Sequence, residues 1–135
     1  MNIDKITKKL LVLTKKAESI GEVPISALIV YNNKILCSAY NTVEKDNNVL
    51  SHAEIKVIKS ATKKLNNWRL DNCELYVTIE PCDMCKEIIK KARIKNVYYF
   101  TKQNNNKTEK NTNCIYLNNN DCFLIILKNF FNNKR

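Results

Sequence analysis

The chain has 135 residues, 44% of them hydrophobic, and a formal net charge of +10. That length supports one domain, residues 1–135, with a core that needs no disulfide staples, and the apolar content excludes a disordered chain. There is no signal-peptide layout and no stretch long enough to span a bilayer, so a cytoplasmic protein free of membrane contact is expected, in which six cysteines do not imply a disulfide framework.

In chain order, apolar residues at 6, 10, 13 and 17 predict an amphipathic helix over 4–19, closed by Gly21, the single glycine. Glu22-Val23-Pro24 then breaks the chain into an extended segment. A nearly continuous apolar run at 25–31, an Asn32-Asn33 turn and a second run at 34–40 predict a β-hairpin. The polar stretch 41–50 reads as a loop. Ile55, Ile58, Ala61 and Leu65 restore helical spacing over 51–65. Residues 73–79 read as a strand, Pro81 as the first residue of a helix reaching about 93, and 97–100 as another strand. Residues 102–113 are polar and aperiodic and read as a surface loop. A short strand at 114–117 and a final apolar helix capped by Asp121 complete the chain. This order predicts one α/β domain, a sheet covered by helices, with two strand–helix–strand crossovers that leave their strands parallel. The helices that follow consecutive strands then open at one edge of the sheet, where open α/β sheets hold ligands.

Cys37, Cys73, Cys114 and Cys122 sit in or beside apolar runs, as small hydrophobes do. Cys82 and Cys85 differ. Three residues apart, they share one face of a helix turn, and zinc accepts two thiolates and an imidazole readily. His52, the only histidine, stands at the start of the preceding helix. A fourth protein ligand would have to be Asp83 or a strand cysteine, none at ligand spacing, so the count favours an open, catalytic type of site over a closed structural one. Glu54 is two residues beyond His52, and side chains so spaced diverge on a regular helix. Both face one metal only if His52 lies at the helix end. Ser51-x-x-Glu54 also fits a capping box, so cap and catalytic base both remain open for Glu54. The charge of +10 suits a polyanionic partner, but lysine and asparagine are spread along the whole chain, and such a bias raises charge without selecting a ligand. Lys90, Lys91, Arg93 and Lys95 read equally as a phosphate-binding stripe or a solvated helix face, and Trp68-Arg69 as a stacking pair or as packing.

His52-Ala53-Glu54 followed by Pro81-Cys82-x-x-Cys85 is the H-x-E…P-C-x-x-C signature of zinc nucleobase deaminases. The chain resembles the bacterial tRNA-specific adenosine deaminases, from Glu22-Val23-Pro24 through Asn41, His52-Ala53-Glu54-Ile55, Trp68-Arg69-Leu70, Leu75-Tyr76-Val77-Thr78 and Glu80-Pro81-Cys82 to Val97. It departs from them at Ser26, where a glycine is usual, at Ser51, and at residues 103–110, which lack the family's loop glycine. The resemblance implies a cytidine deaminase-like fold, a three-layer α/β/α sandwich around a mixed five-stranded sheet. It implies one Zn2+ per subunit held by His52, Cys82 and Cys85, with Glu54 shuttling the proton. Asn41 would hydrogen-bond the flipped base, and Val23, Pro24 and Ala53 would line its pocket. The substrate would be the wobble adenosine of a tRNA anticodon stem-loop, bound by a homodimer, with Lys134-Arg135 near the RNA backbone. Two alternatives share parts of this pattern: a deaminase of a free nucleobase or nucleoside such as cytosine or guanine, and a non-catalytic zinc module that binds nucleic acid.

Overall fold

The computed structural model describes residues 2–103, 113–117 and 121–133. The apolar run at 25–31 becomes β1 (Ser26–Tyr31), flanked by a strand on each side and buried on both faces. A fully buried strand needs apolar residues at every position, which is why the run does not alternate. Asn32 and Asn33, at φ 50° and 62°, provide the two left-handed residues of the hairpin turn into β2 (Lys34–Tyr40), antiparallel to β1. With β3 (Cys73–Val77), β4 (Asn96–Tyr99) and β5 (Asn113–Tyr116) they form a five-stranded sheet in the order β2-β1-β3-β4-β5. β3 is antiparallel to β1 and parallel to β4, and β4 is parallel to β5. Both strand–helix–strand units therefore join strands of like direction. β3 lies beside β1 instead of β2, whose mostly half-buried pattern is that of an edge strand.

Alternation along the strands sends side chains into two separate cores. Ala27 and Ile29, Leu75 and Val77, and Val97 face Ala53, Val57 and Ala61 of α3 (Ala53–Leu65) and Ile89 of α4 (Asp83–Lys91). Leu28, Val30 and Tyr76 face the opposite way, onto Ile6 and Leu10 of α1 (Ile3–Ser19) and Phe123 of α5 (Cys122–Asn133). The result is the three-layer α/β/α sandwich. Each large side chain removed from water this way contributes roughly 1.5–3 kcal/mol. Ser26, where the resembling family carries glycine, is fully buried and satisfied: its hydroxyl donates to the Leu10 carbonyl at 2.8 Å and pairs with Thr14 Oγ1 at 2.9 Å.

Gly21, just past α1, holds φ 80°. A β-carbon there would crowd the following carbonyl, so Gly21→Ala is expected to cost about 1–2 kcal/mol, read as a lower urea midpoint at unchanged m-value.

Several boundaries differ from the periodic reading. The stretch read as a loop at 41–50 contains a one-turn helix, α2 (Val43–Asp46), held by contacts distant in sequence and therefore invisible to periodicity. The buried stripe of α3 is Ala53, Glu54, Val57, Ile58 and Ala61, while Ile55 is half-buried and Leu65 only packs against the rim of the core. α4 begins one residue past Cys82, its N-cap, so Pro81 precedes the cap and is not the first helical residue. Asp121, at φ 55°, stands directly before α5 at the predicted cap position, and its backbone carbonyl accepts the Ile125 N–H at 2.9 Å. The predicted loop at 102–113 lies, except for Lys102, Gln103 and Asn113, outside the described residues, as do Lys134 and Arg135. No disulfide joins the cysteines among the described residues, and no described helix is long and apolar enough to cross a membrane.

Candidate active site

The N-termini of α3 and α4 meet at the end of β3, and their caps bring the metal-ligating side chains together. His52 caps α3 with an extended backbone, φ −67° and ψ 146°. That departure from helical geometry is what lets residues 52 and 54 face the same point. Cys82 caps α4 in the same way, φ −68° and ψ 168°, and Cys85 follows on its first turn. The ligand atoms of His52, Cys82 and Cys85 all lie within 4.8 Å of one another, with Cys85 Sγ 3.5 Å from His52 Nδ1. Tetrahedral zinc with ordinary Zn–S and Zn–N bonds separates its ligand atoms by about 3.5–3.8 Å, so the three donors fit that ion with small adjustments. Among the described residues no other histidine, cysteine or carboxylate joins the cluster. Asp83, weighed as a fourth ligand, is exposed.

The capping box is not formed. His52, not Ser51, occupies the N-cap and makes no side-chain cap bond, and Ser51 instead donates its N–H to the Asn48 carbonyl at 3.1 Å. Glu54 is thus released from that structural role, and its carboxyl is 4% exposed. Burial pushes it above the usual carboxylate range, against hydrogen bonds from its own backbone and from Cys85. The neighbouring thiol of Cys85 pulls Cys82 down to about 5, and the Cys82 sulfur in turn pushes Cys85 up. One thiolate is therefore in place at neutral pH. A buried carboxyl raised above its usual range beside a soft ligand set suits proton transfer to and from an attacking water.

Above the cluster lies a cavity of about 280 Å³, lined by Val23, Ile25, Asn41, His52, Ala53, Glu54 and Cys82 among others. Asn41 is buried, its amide Nδ2 donating to the Val23 carbonyl at 3.4 Å and its backbone N–H to the Ile25 carbonyl at 3.0 Å. Pro24 is buried next to this wall but does not line the cavity. Periodicity missed Glu22, Val43, Glu44, Ile79, Glu80 and Gln103, which also line it. Glu80 bonds Lys86 at 3.2 Å and accepts the Gln103 N–H at 3.3 Å, tying α4 to the chain after β4. A signal for Glu22 existed in the sequence: a carboxylate directly ahead of a buried hairpin has to find donors.

Trp68 is 59% exposed, with the Arg69 guanidinium 5.4 Å from its ring centroid. Both precede β3, whereas the cavity follows it, so they sit at the opposite edge of the sheet. Lys90, Lys91, Arg93 and Lys95 are exposed.

A five-stranded α/β/α sandwich carrying this motif at the ends of two helices is the architecture of the cytidine deaminase-like enzymes. The chain belongs to the MafB19-like deaminase family, which it matches over residues 1–135. It is 36% identical over 132 residues to the tRNA-specific adenosine deaminase of Buchnera aphidicola subsp. Schizaphis graminum, covering 88% of this chain and 87% of that one. It is 45% identical over 85 residues to the enzyme of the same description from Bacillus subtilis, covering 63% of this chain. That match spans about half of the Bacillus protein, 53% of its length. Among solved structures, one described in a study of A-to-I editing by tRNA:A34 deaminases superposes with a TM-score of 0.75 at 29% identity, over 86% of this chain and 100% of that one. The guanine deaminase of Bacillus subtilis gives a TM-score of 0.70 at 35% identity, over 76% and 66%.

Proposed function

We propose that the protein hydrolytically deaminates adenosine to inosine at the wobble position of a tRNA anticodon, consuming water and releasing ammonia. The observation that carries the reaction is the buried Glu54 carboxyl set against three ligand atoms at the base of a cavity. The substrate follows from the similarity to the Buchnera enzyme across nearly the whole of both chains. His52, Cys82 and Cys85 are the residues that would hold one Zn2+ per subunit. When bound, that ion lowers the pKa of a water to about 7. Glu54 takes a proton from the attacking water and delivers it to the purine ring nitrogen, then takes the second proton from the hydroxyl now bonded to the ring carbon and delivers it to the departing ammonia as the carbon–nitrogen bond breaks. Asn41, Val23 and Ala53 form the pocket for the flipped base.

The chain works as a single deaminase domain over 1–135, a reading supported by the one sheet on which its large helices pack. A homodimer in the cytoplasm agrees with its resemblance to bacterial tRNA deaminases, and light scattering at micromolar concentration tests the assembly. A second reading, deamination of a free base, has in its favour the 35% identity to guanine deaminase. Against it stands the charge of +10, which suits a phosphate backbone. Incubation with a synthetic anticodon stem-loop bearing a wobble adenosine, in parallel with free adenine, guanine and cytosine, separates the two. Inosine in the digested RNA is the expected product. Ammonia released from a free base only, with the RNA untouched, would transfer the assignment to the second reading.

A further inference from the structure

Glu22 is 1% exposed, which makes it a carboxylate removed almost entirely from water. No described Lys or Arg forms an ion pair with it, since the ion pairs found join Arg69 to Asp71 and Lys86 to Glu80. Its partners are instead two backbone amides of α2: Glu44 N–H donates to Oε1 at 3.0 Å and Lys45 N–H to Oε2 at 2.8 Å. A buried carboxylate is tolerated only where its lone pairs are met, so this arrangement fixes both groups. It also fixes α2, a single turn of helix far too short to hold itself together.

Two further bonds join the same two segments, from Asn41 Nδ2 to the Val23 carbonyl and from Asn41 N–H to the Ile25 carbonyl. The stretch before β1 and the stretch after β2 are thus laced together by four hydrogen bonds, and both border the cavity, through Glu22, Val23 and Ile25 on one side and Asn41, Val43 and Glu44 on the other. Lys56 holds the outer end of the second stretch, donating to the Tyr40 carbonyl at 2.9 Å and to Thr42 Oγ1 at 2.8 Å.

We infer that Glu22 is a positioning residue, which sets the width of the base-binding cavity by holding Val43 and Glu44 in place, and so governs substrate binding more than the chemical step. The inference rests on the deaminase reading for its kinetic consequence, and on the hydrogen bonds alone for its structural one. Glu22→Gln keeps the shape but can accept from only one of the two amides through its single carbonyl oxygen. Glu22→Ala accepts from neither.

With zinc-loaded protein and the anticodon stem-loop, Glu22→Ala is expected to raise KM on the order of tenfold and to lower kcat by less, with Glu22→Gln in between. Amide exchange followed by NMR is expected to quicken at both Glu44 and Lys45 in Glu22→Ala and at one of the two in Glu22→Gln, while β1 and β3 stay protected. Should Glu22→Ala fold poorly, the Gln variant carries both readouts. Quickened exchange with KM unmoved, or a loss confined to kcat, would overturn the inference, as would unchanged exchange at the two amides. If wild-type protein converts no RNA, the reaction assigned above fails separately. The exchange at Glu44 and Lys45, together with stem-loop affinity, then decides whether Glu22 positions the wall.

Discussion

Glu54→Gln is expected to lower kcat for inosine formation by about a thousandfold, the scale of a single positioned acid–base group, while zinc content stays at one per chain. The substitution is close to isosteric, so the cavity keeps its shape and the metal keeps its ligands. What is lost is the ability to accept a proton and give it back. The same change relieves the cost of burying a carboxyl that is 4% exposed, so the variant should melt no lower than wild type. That pairing of opposite effects is the useful signature. A structural role for Glu54 would lower stability and activity together, and a variant retaining a tenth of the wild-type rate would rule out Glu54 as the proton carrier.

Removal of the metal is the second large effect. Chelation of wild-type protein is expected to abolish activity and to lower the thermal midpoint by roughly 15 °C, the shift that a site saturated about a thousandfold over its dissociation constant gives a chain of this size. The physical reason lies in the groups left behind. The thiolate of Cys82 and the carboxyl of Glu54 converge, and each makes ionisation of its neighbours harder. A divalent cation at that point offsets the crowding. Cys85→Ser, at a position with no solvent exposure, should reproduce the apo midpoint and respond to added zinc weakly. A midpoint indifferent to both chelator and Cys85→Ser would refute the site.

The sheet and its large helices were legible because burial on two faces or on one stripe leaves a periodic trace: Ile6, Leu10, Leu13 and Ala17 on α1, and the unbroken run of β1. The cluster of His52, Cys82 and Cys85 was legible for another reason, since a lone histidine and one C-x-x-C pair leave few combinations. What periodicity could not reveal depends on contacts across the chain. α2 exists because Glu22, more than twenty residues earlier, caps its amides. The absence of the capping box at Glu54 turned on a single backbone angle at His52, ψ 146°, which no spacing rule contains. The position of β3 beside β1 was likewise a matter of which strand edge remained open.

The left-handed turns have a consequence for the unfolded chain. Of the six non-glycine residues at positive φ among those described, Asn32, Asn33, Asn47 and Asn66 are asparagine, and Gly21 is the lone glycine doing the same task. Asparagine tolerates that conformation at modest cost, yet it roams far less than glycine when the protein is denatured. Each reversal of direction therefore gives up less chain entropy on folding than a glycine would. Replacing the asparagines with glycine, a change that looks harmless on the native backbone, would widen the ensemble from which the protein must fold.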